Sequence, residues 1–160
     1  MVRDGDDSPL PRILQNFLRR DAVARRVLID ALITVAAVRI SLWLLPFRMV
    51  LRAVESHIPH LHRSDGEADV ILITSAVNTV ARRIPGATCL TRSLAAKVLL
   101  ARRGHQSTLH LGVALDGSVL SAHSWLESGG RAIIGAPEPG RFVTLVRVGE
   151  HATSFHSEER

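Results

Sequence analysis

Cysteine is almost absent from this chain: Cys89 is the only one among 160 residues. A disulfide within the chain is therefore excluded, and so is a zinc site built on several cysteines. Tyrosine is missing altogether, and aromatic residues reach only 4%. A stacking platform for single-stranded nucleic acid needs exposed aromatic faces, which argues against that class. Lysine is scarce too. Lys97 stands alone, and arginine supplies the rest of the positive charge that leaves the chain at +5. Such usage fits a GC-rich coding bias, or a surface that attracts acidic peptides or anionic lipid. No nucleic-acid motif accompanies the charge, so no nucleic-acid partner is expected. A secretion signal is also lacking. Residues 1–11 are acidic and contain Pro9 and Pro11, where a signal would be basic and then apolar. A cytoplasmic protein is expected.

Hydrophobic residues make up 46% of the sequence, enough for the core of one ordinary domain. The most apolar stretch, Val27 to Leu51, is interrupted by Asp30, Arg39, Pro46 and Arg48. A spanning helix needs about 20 mostly apolar residues and tolerates a central arginine badly. The stretch reads as a buried or interfacial helix, with membrane contact as the alternative.

Residues 1–11 read as a flexible tail, 12–65 as an N-terminal helical region, 66–150 as the core and 151–160 as a second tail. Helical spacing runs from Pro11 to Leu45, where Pro46 ends or kinks it. A second helix covers Phe47 to His57, and a polar linker follows from Ile58. Asp69 to Arg83 is helical again, and Pro85-Gly86 breaks it. Thr88 can cap a helix from Cys89 to Arg103, with Gly104 as its stop. The period then changes to two. Ser107–Leu115 and Val119–Leu126 flank Asp116-Gly117, a hairpin signal. Arg131–Ile134 and Phe142–Val148 complete an expected antiparallel meander. Helices followed by such a sheet make an α+β chain.

Cys89 is expected at a helix start. Unpaired N–H groups and the helix dipole place partial positive charge there, which favours an anionic sulfur and suits an oxyanion. A buried structural thiol would sit more naturally in mid-helix. A thiol nucleophile needs an imidazole to exchange its proton, and His123 on the second strand is the candidate. Its alternative is an ordinary sheet-edge histidine. A third group normally orients the imidazole. Hairpin pairing sets His123 opposite Ile134 or Gly135, where no carboxylate stands. Glu127 is on the same face but roughly 13 Å along the strand. Glu138, in a proline-bounded loop, is the acidic candidate, with a backbone carbonyl or water as alternatives. His110 reads as ordinary sheet surface, or as a second histidine in the cleft. His60 and His62 lie in the polar linker without a third metal ligand. The pairs Arg19-Arg20, Arg25-Arg26 and Arg82-Arg83 read as solvated helix faces.

The run Ile84-Pro85-Gly86-Ala87-Thr88-Cys89-Leu90-Thr91-Arg92 resembles the cysteine helix of the lasso-peptide B proteins. Leu111-Gly112-Val113 and Ala122-His123-Ser124-Trp125-Leu126-Glu127 resemble their histidine strand. The apolar helix ending Leu44-Leu45-Pro46-Phe47-Arg48 is similar to their N-terminal region. The resemblance implies a transglutaminase-like (papain-like) fold and a leader peptidase with Cys89 as nucleophile and His123 as base. The family's acidic third member falls near Gly135 here, a departure from the pattern. The resemblance also implies a stand-alone peptidase with three partners. They are a precursor peptide, a separate leader-recognition protein and an ATP-using cyclase. No metal or organic cofactor is implied. Two other readings share these residues: another transglutaminase-like amidase or acyl transferase, and a non-catalytic peptide-binding scaffold.

Overall fold

A computed structural model describes residues 21–56 and 66–149. Four helices precede four strands. They are α1 (Ala22–Leu44), α2 (Phe47–Ser56), α3 (Glu67–Ala81) and α4 (Cys89–Arg102), then β1 (Thr108–Asp116), β2 (Val119–Ser128), β3 (Arg131–Ile134) and β4 (Val143–Val148). This is the expected α+β arrangement, with element ends shifted by one or two residues. The expected tails, the helical segment before Asp21, His57 and most of the linker with His60 and His62 fall outside the described residues.

α4 is the central helix. Its apolar and small residues are buried on nearly every side, including Leu94, Ala95, Ala96, Leu99 and Leu100. A helix apolar all round belongs inside a fold rather than on its surface. α1 and α3 pack on it from one side and β2 from the other. α1 contributes Val27, Ala31, Val35 and Val38, and α3 contributes Ile73, Ala76, Val77 and Val80. Both rows follow helical spacing. Asp69 near the start of α3 accepts a hydrogen bond from Arg103 at 3.0 Å and lies 3.5 Å from the His105 ring. These contacts tie the start of α3 to the end of α4. Even the lone lysine is buried, donating to the Ser107 carbonyl at 2.6 Å.

The sheet order is β3-β2-β1-β4, with antiparallel pairings throughout. This corrects the expected meander. β4 does not lie beside β3; it returns across the sheet to pair with β1, the Greek-key order. Period-two alternation identifies a strand but not its neighbour, so the sequence pattern leaves this open. The first hairpin turns on Gly117 and Ser118, since Asp116 pairs with Val119. Gly117 has φ +65° and no non-glycine residue among those described has positive φ, the pattern of a type II′ turn.

Register explains how the sheet meets α4. Ile134 pairs with Leu126, Leu126 with Leu109, and Leu109 with Val148. All four are buried in the core, forming one apolar row across every strand. Ser93 on α4 donates to the Ser124 carbonyl of β2 at 3.4 Å. Leu94 is wholly buried on α4. Replacing it by alanine is expected to cost about 3 kcal/mol through lost burial and an unfilled cavity, measured by urea unfolding. A loss below about 1 kcal/mol would contradict the central place assigned to this helix.

Candidate active site

Thr88 caps α4. Its Oγ1 accepts from the Thr91 N–H at 3.3 Å, and its carbonyl accepts from the Arg92 N–H at 3.2 Å. Cys89 is therefore the first residue of the helix, as expected. Among the described residues, the Cys89 and Leu90 N–H groups have no hydrogen-bond partner. First-turn donors have none within a helix.

Cys89 and His123 line one open cavity of about 310 Å³. Its remaining walls are almost wholly apolar. Leu90 comes from α4, Leu111 and Val113 from β1, Ala122 from β2, and Leu145 and Val146 from β4. Phe47, from the start of α2, closes one side. Periodicity gives no sign that the N-terminal helical region reaches this site. Cys89 is free and partly buried. No hydrogen bond joins its sulfur to the imidazole among the described residues. The imidazole shares the β2 face of Trp125, while Leu126 on the other face packs into the core.

The His123 ring is held from three sides. Its Nε2 lies 2.8 Å from the Gly135 carbonyl oxygen. Phe142 packs against it with ring centres 5.1 Å apart, and Trp125 lies at 6.3 Å. A carbonyl oxygen only accepts, so Nε2 carries the proton and Nδ1 of the neutral ring keeps its lone pair. Gly135 is suited to this place. Its φ is +65°, and a Cβ there would lie 2.9 Å from the Ser124 carbonyl oxygen. The expected pairing of His123 with Ile134 or Gly135 is corrected: the turn falls on Gly129-Gly130 and a bulge follows, so Ile134 pairs with Leu126 and the Gly135 carbonyl reaches the ring from just past the end of β3.

Glu138 lies elsewhere. Its Oε2 accepts from Arg141 at 3.0 Å, and Arg141 also reaches Asp116 at 2.9 Å. The loop carboxylate is thereby pinned toward the tip of the first hairpin. The contact with the His123 ring belongs to Gly135 instead.

His110 is corrected from sheet surface to buried. It pairs across the strands with Trp125, and the two rings stack 5.1 Å apart at 8°. Glu127 sits beside both. It accepts from the Trp125 indole at 3.1 Å and lies 3.0 Å from His110 Nε2, although that ring N–H is poorly aligned with it. Gly112 lets the indole lie close over β1; a Cβ there would stand 2.9 Å from the Trp125 ring. Burial lowers the His110 pKa below the ordinary imidazole value of 6.5. The Glu127 carboxylate pulls it back in part, and Arg147 on β4 adds to the lowering. Groups of three or more metal-ligating side chains are absent among the described residues.

The family model described as the transglutaminase-like superfamily matches residues 31–147. No curated protein and no solved structure matches the chain.

Two outcomes follow from this geometry. Gly135→Ala forces a side chain into a left-handed backbone and against a carbonyl, at a cost of about 1–3 kcal/mol. Nitrogen-15 NMR of the imidazole should find the Nε2–H tautomer of His123 in the parent and a mixture in the variant. An unchanged tautomer would remove Gly135 from the orienting role. For His110, the unfolded chain takes up its proton at a higher pH than the folded one. Stability is therefore retained above pH 6.5, falls as pH drops through that value, and levels off below the folded-state pKa. Denaturation midpoints against pH should give a shallower slope in this window for His110→Phe than for the parent.

Proposed function

We propose that this chain, which belongs to the transglutaminase-like superfamily, is a cysteine peptidase that removes the leader from a ribosomally made lasso-peptide precursor. The superfamily includes cysteine peptidases and acyltransferases, and the finer reading rests on two supports. One is the resemblance carried by the cysteine helix and the histidine strand. The other, which carries the mechanism, is that Cys89 at a helix start and His123 line the same cavity.

In this reading Nδ1 of His123 takes the Cys89 proton and the thiolate attacks the carbonyl of the scissile bond. The unpartnered Cys89 and Leu90 N–H groups receive the developing oxyanion. The imidazolium then protonates the departing amine of the core peptide, leaving the leader as a thioester on Cys89. Water, deprotonated by His123, releases it and restores the thiol. The Gly135 carbonyl holds the ring in the tautomer that both steps require. Partners of stated chemistry complete the reading: a separate protein that binds the leader and delivers the precursor, and an ATP-using cyclase that takes the freed core. The setting is the cytoplasm.

The test uses the full chain with a candidate precursor and its leader-binding partner in water enriched in oxygen-18, read by mass spectrometry. Hydrolysis places one heavy oxygen on the new leader carboxylate. Cys89→Ala is expected to abolish release, and His123→Ala to slow it by about 10²–10⁴-fold. Iodoacetamide should label Cys89 faster than a free thiol near neutral pH. Undiminished release in Cys89→Ala would sink the peptidase reading, and transfer to an amine without oxygen-18 uptake would replace it with acyl transfer.

A further inference from the structure

α1 has two faces, and the core accounts for one. Val27, Ala31, Thr34, Val35 and Val38 are buried, against α3 and α4. The outward arc carries Ile29, Leu32, Ile33, Ile40, Trp43 and Leu44, all exposed. A helix on the surface of a water-soluble domain normally places polar residues there. The apolar surface continues around the elbow into α2, where Leu45, Phe47 and Met49 are also exposed. Trp43 is the most exposed of these, at 78%.

Positive charge predominates in this region. Across α1 and α2 the chain holds Arg25, Arg26, Arg39, Arg48 and Arg52 against two exposed acids, Asp30 and Glu55. Arg48 and Arg52 are one helical turn apart on the exposed side of α2, while Val50 and Val54 pack inward. Exposed apolar side chains with a tryptophan at their edge and arginines beside them match the boundary between lipid tails and anionic headgroups. A symmetric contact between two copies would set one net-positive face against another, whereas an anionic bilayer offers it the opposite charge.

We propose that this face rests on an anionic lipid bilayer. α1 lies in the plane of the membrane, with Trp43 and its neighbours at the acyl boundary and Arg48 and Arg52 on phosphate. Its 23 residues are long and apolar enough to span, but spanning would pull Val27, Ala31, Val35 and Val38 out of the core. Lying flat keeps that row packed and covers the opposite arc. Because Phe47 belongs to both the elbow and the cavity wall, the bilayer would flank the cavity.

The experiment is flotation of the full chain with vesicles of phosphatidylcholine alone or mixed with phosphatidylglycerol. The chain should float with the mixed vesicles at least about tenfold better than with the neutral ones, and high salt should weaken the binding. Ile40→Ser with Trp43→Ser should reduce binding by about tenfold or more. Arg48→Glu with Arg52→Glu should reduce it by roughly thirtyfold or more. All four positions are exposed, and circular dichroism checks that each variant keeps its helices. Trp43 emission should shift to the blue on binding. Absence of flotation would overturn the proposal, as would flotation indifferent to both variant pairs. Self-association abolished by the same substitutions, without vesicle binding, would assign the face to a second copy and overturn it too.

Discussion

The seam between α4 and β2 is the contact on which the rest of the structure depends. α4 is built from small and apolar residues that are buried between two helices and a sheet. Ala95 and Ala96 allow close approach, and Leu94 and Leu100 fill the space that remains. On the sheet side, Leu126 and Leu109 supply the matching surface. The Ser93 bond to the Ser124 carbonyl fixes the helix along the strand. That carbonyl belongs to the residue immediately after His123. The packing that builds the core therefore also sets the start of α4, and Cys89 with it, near the histidine strand. Moving α4 by one turn would carry Cys89 away by about 5.4 Å.

Much of this arrangement is legible in the residues themselves. Pro85-Gly86 and Thr88 mark the start of α4, and Gly104, with φ +78°, marks its stop. The strands follow from period two, and Ser128-Gly129-Gly130 marks the turn before β3, although the pairing this suggests for His123 does not form, since Ile134 meets Leu126. Three features are not legible, each for a physical reason. A strand's own pattern does not name its neighbour, so the return of β4 to β1 leaves no trace in the alternation. A polar side chain in an alternating strand reads as solvent-facing, which hides the burial of His110 against Trp125. A backbone carbonyl leaves no residue type behind it, so Glu138 stands out as a third group while Gly135 does not. That carboxylate is drawn to the nearest arginine instead.

The face of β2 that carries His123 is a supported layer. Trp125 spans between two histidine rings, stacked on His110 and set beside His123. Glu127 takes the indole N–H and lies against His110, so the pieces of the histidine-strand motif have different tasks. Glu127 does not touch the His123 ring; it holds the tryptophan that packs beside it. Gly112 belongs to the same layer, since its missing side chain is what admits the indole. The spacing His-x-Trp-x-Glu is thus a requirement of one strand face, with residues two apart pointing the same way.

The carbonyl of Gly135 also bears on which nucleophile such a site can serve. An orienting carboxylate fixes the tautomer of the imidazole and offsets the positive charge that the ring acquires. A carbonyl does the first and little of the second. For a serine nucleophile that shortfall is severe, because a serine hydroxyl is far less acidic than an imidazolium. A free thiol and a free imidazole differ by only about two pK units, and the thiolate formed beside the ring is itself the balancing anion. Under the proposed mechanism, His123 needs direction more than it needs a second negative charge. Gly135 supplies direction through a short bond of 2.8 Å in a backbone conformation that glycine adopts without strain. The absence of an acid at this position is therefore compatible with thiol chemistry in a way that it would not be with alcohol chemistry.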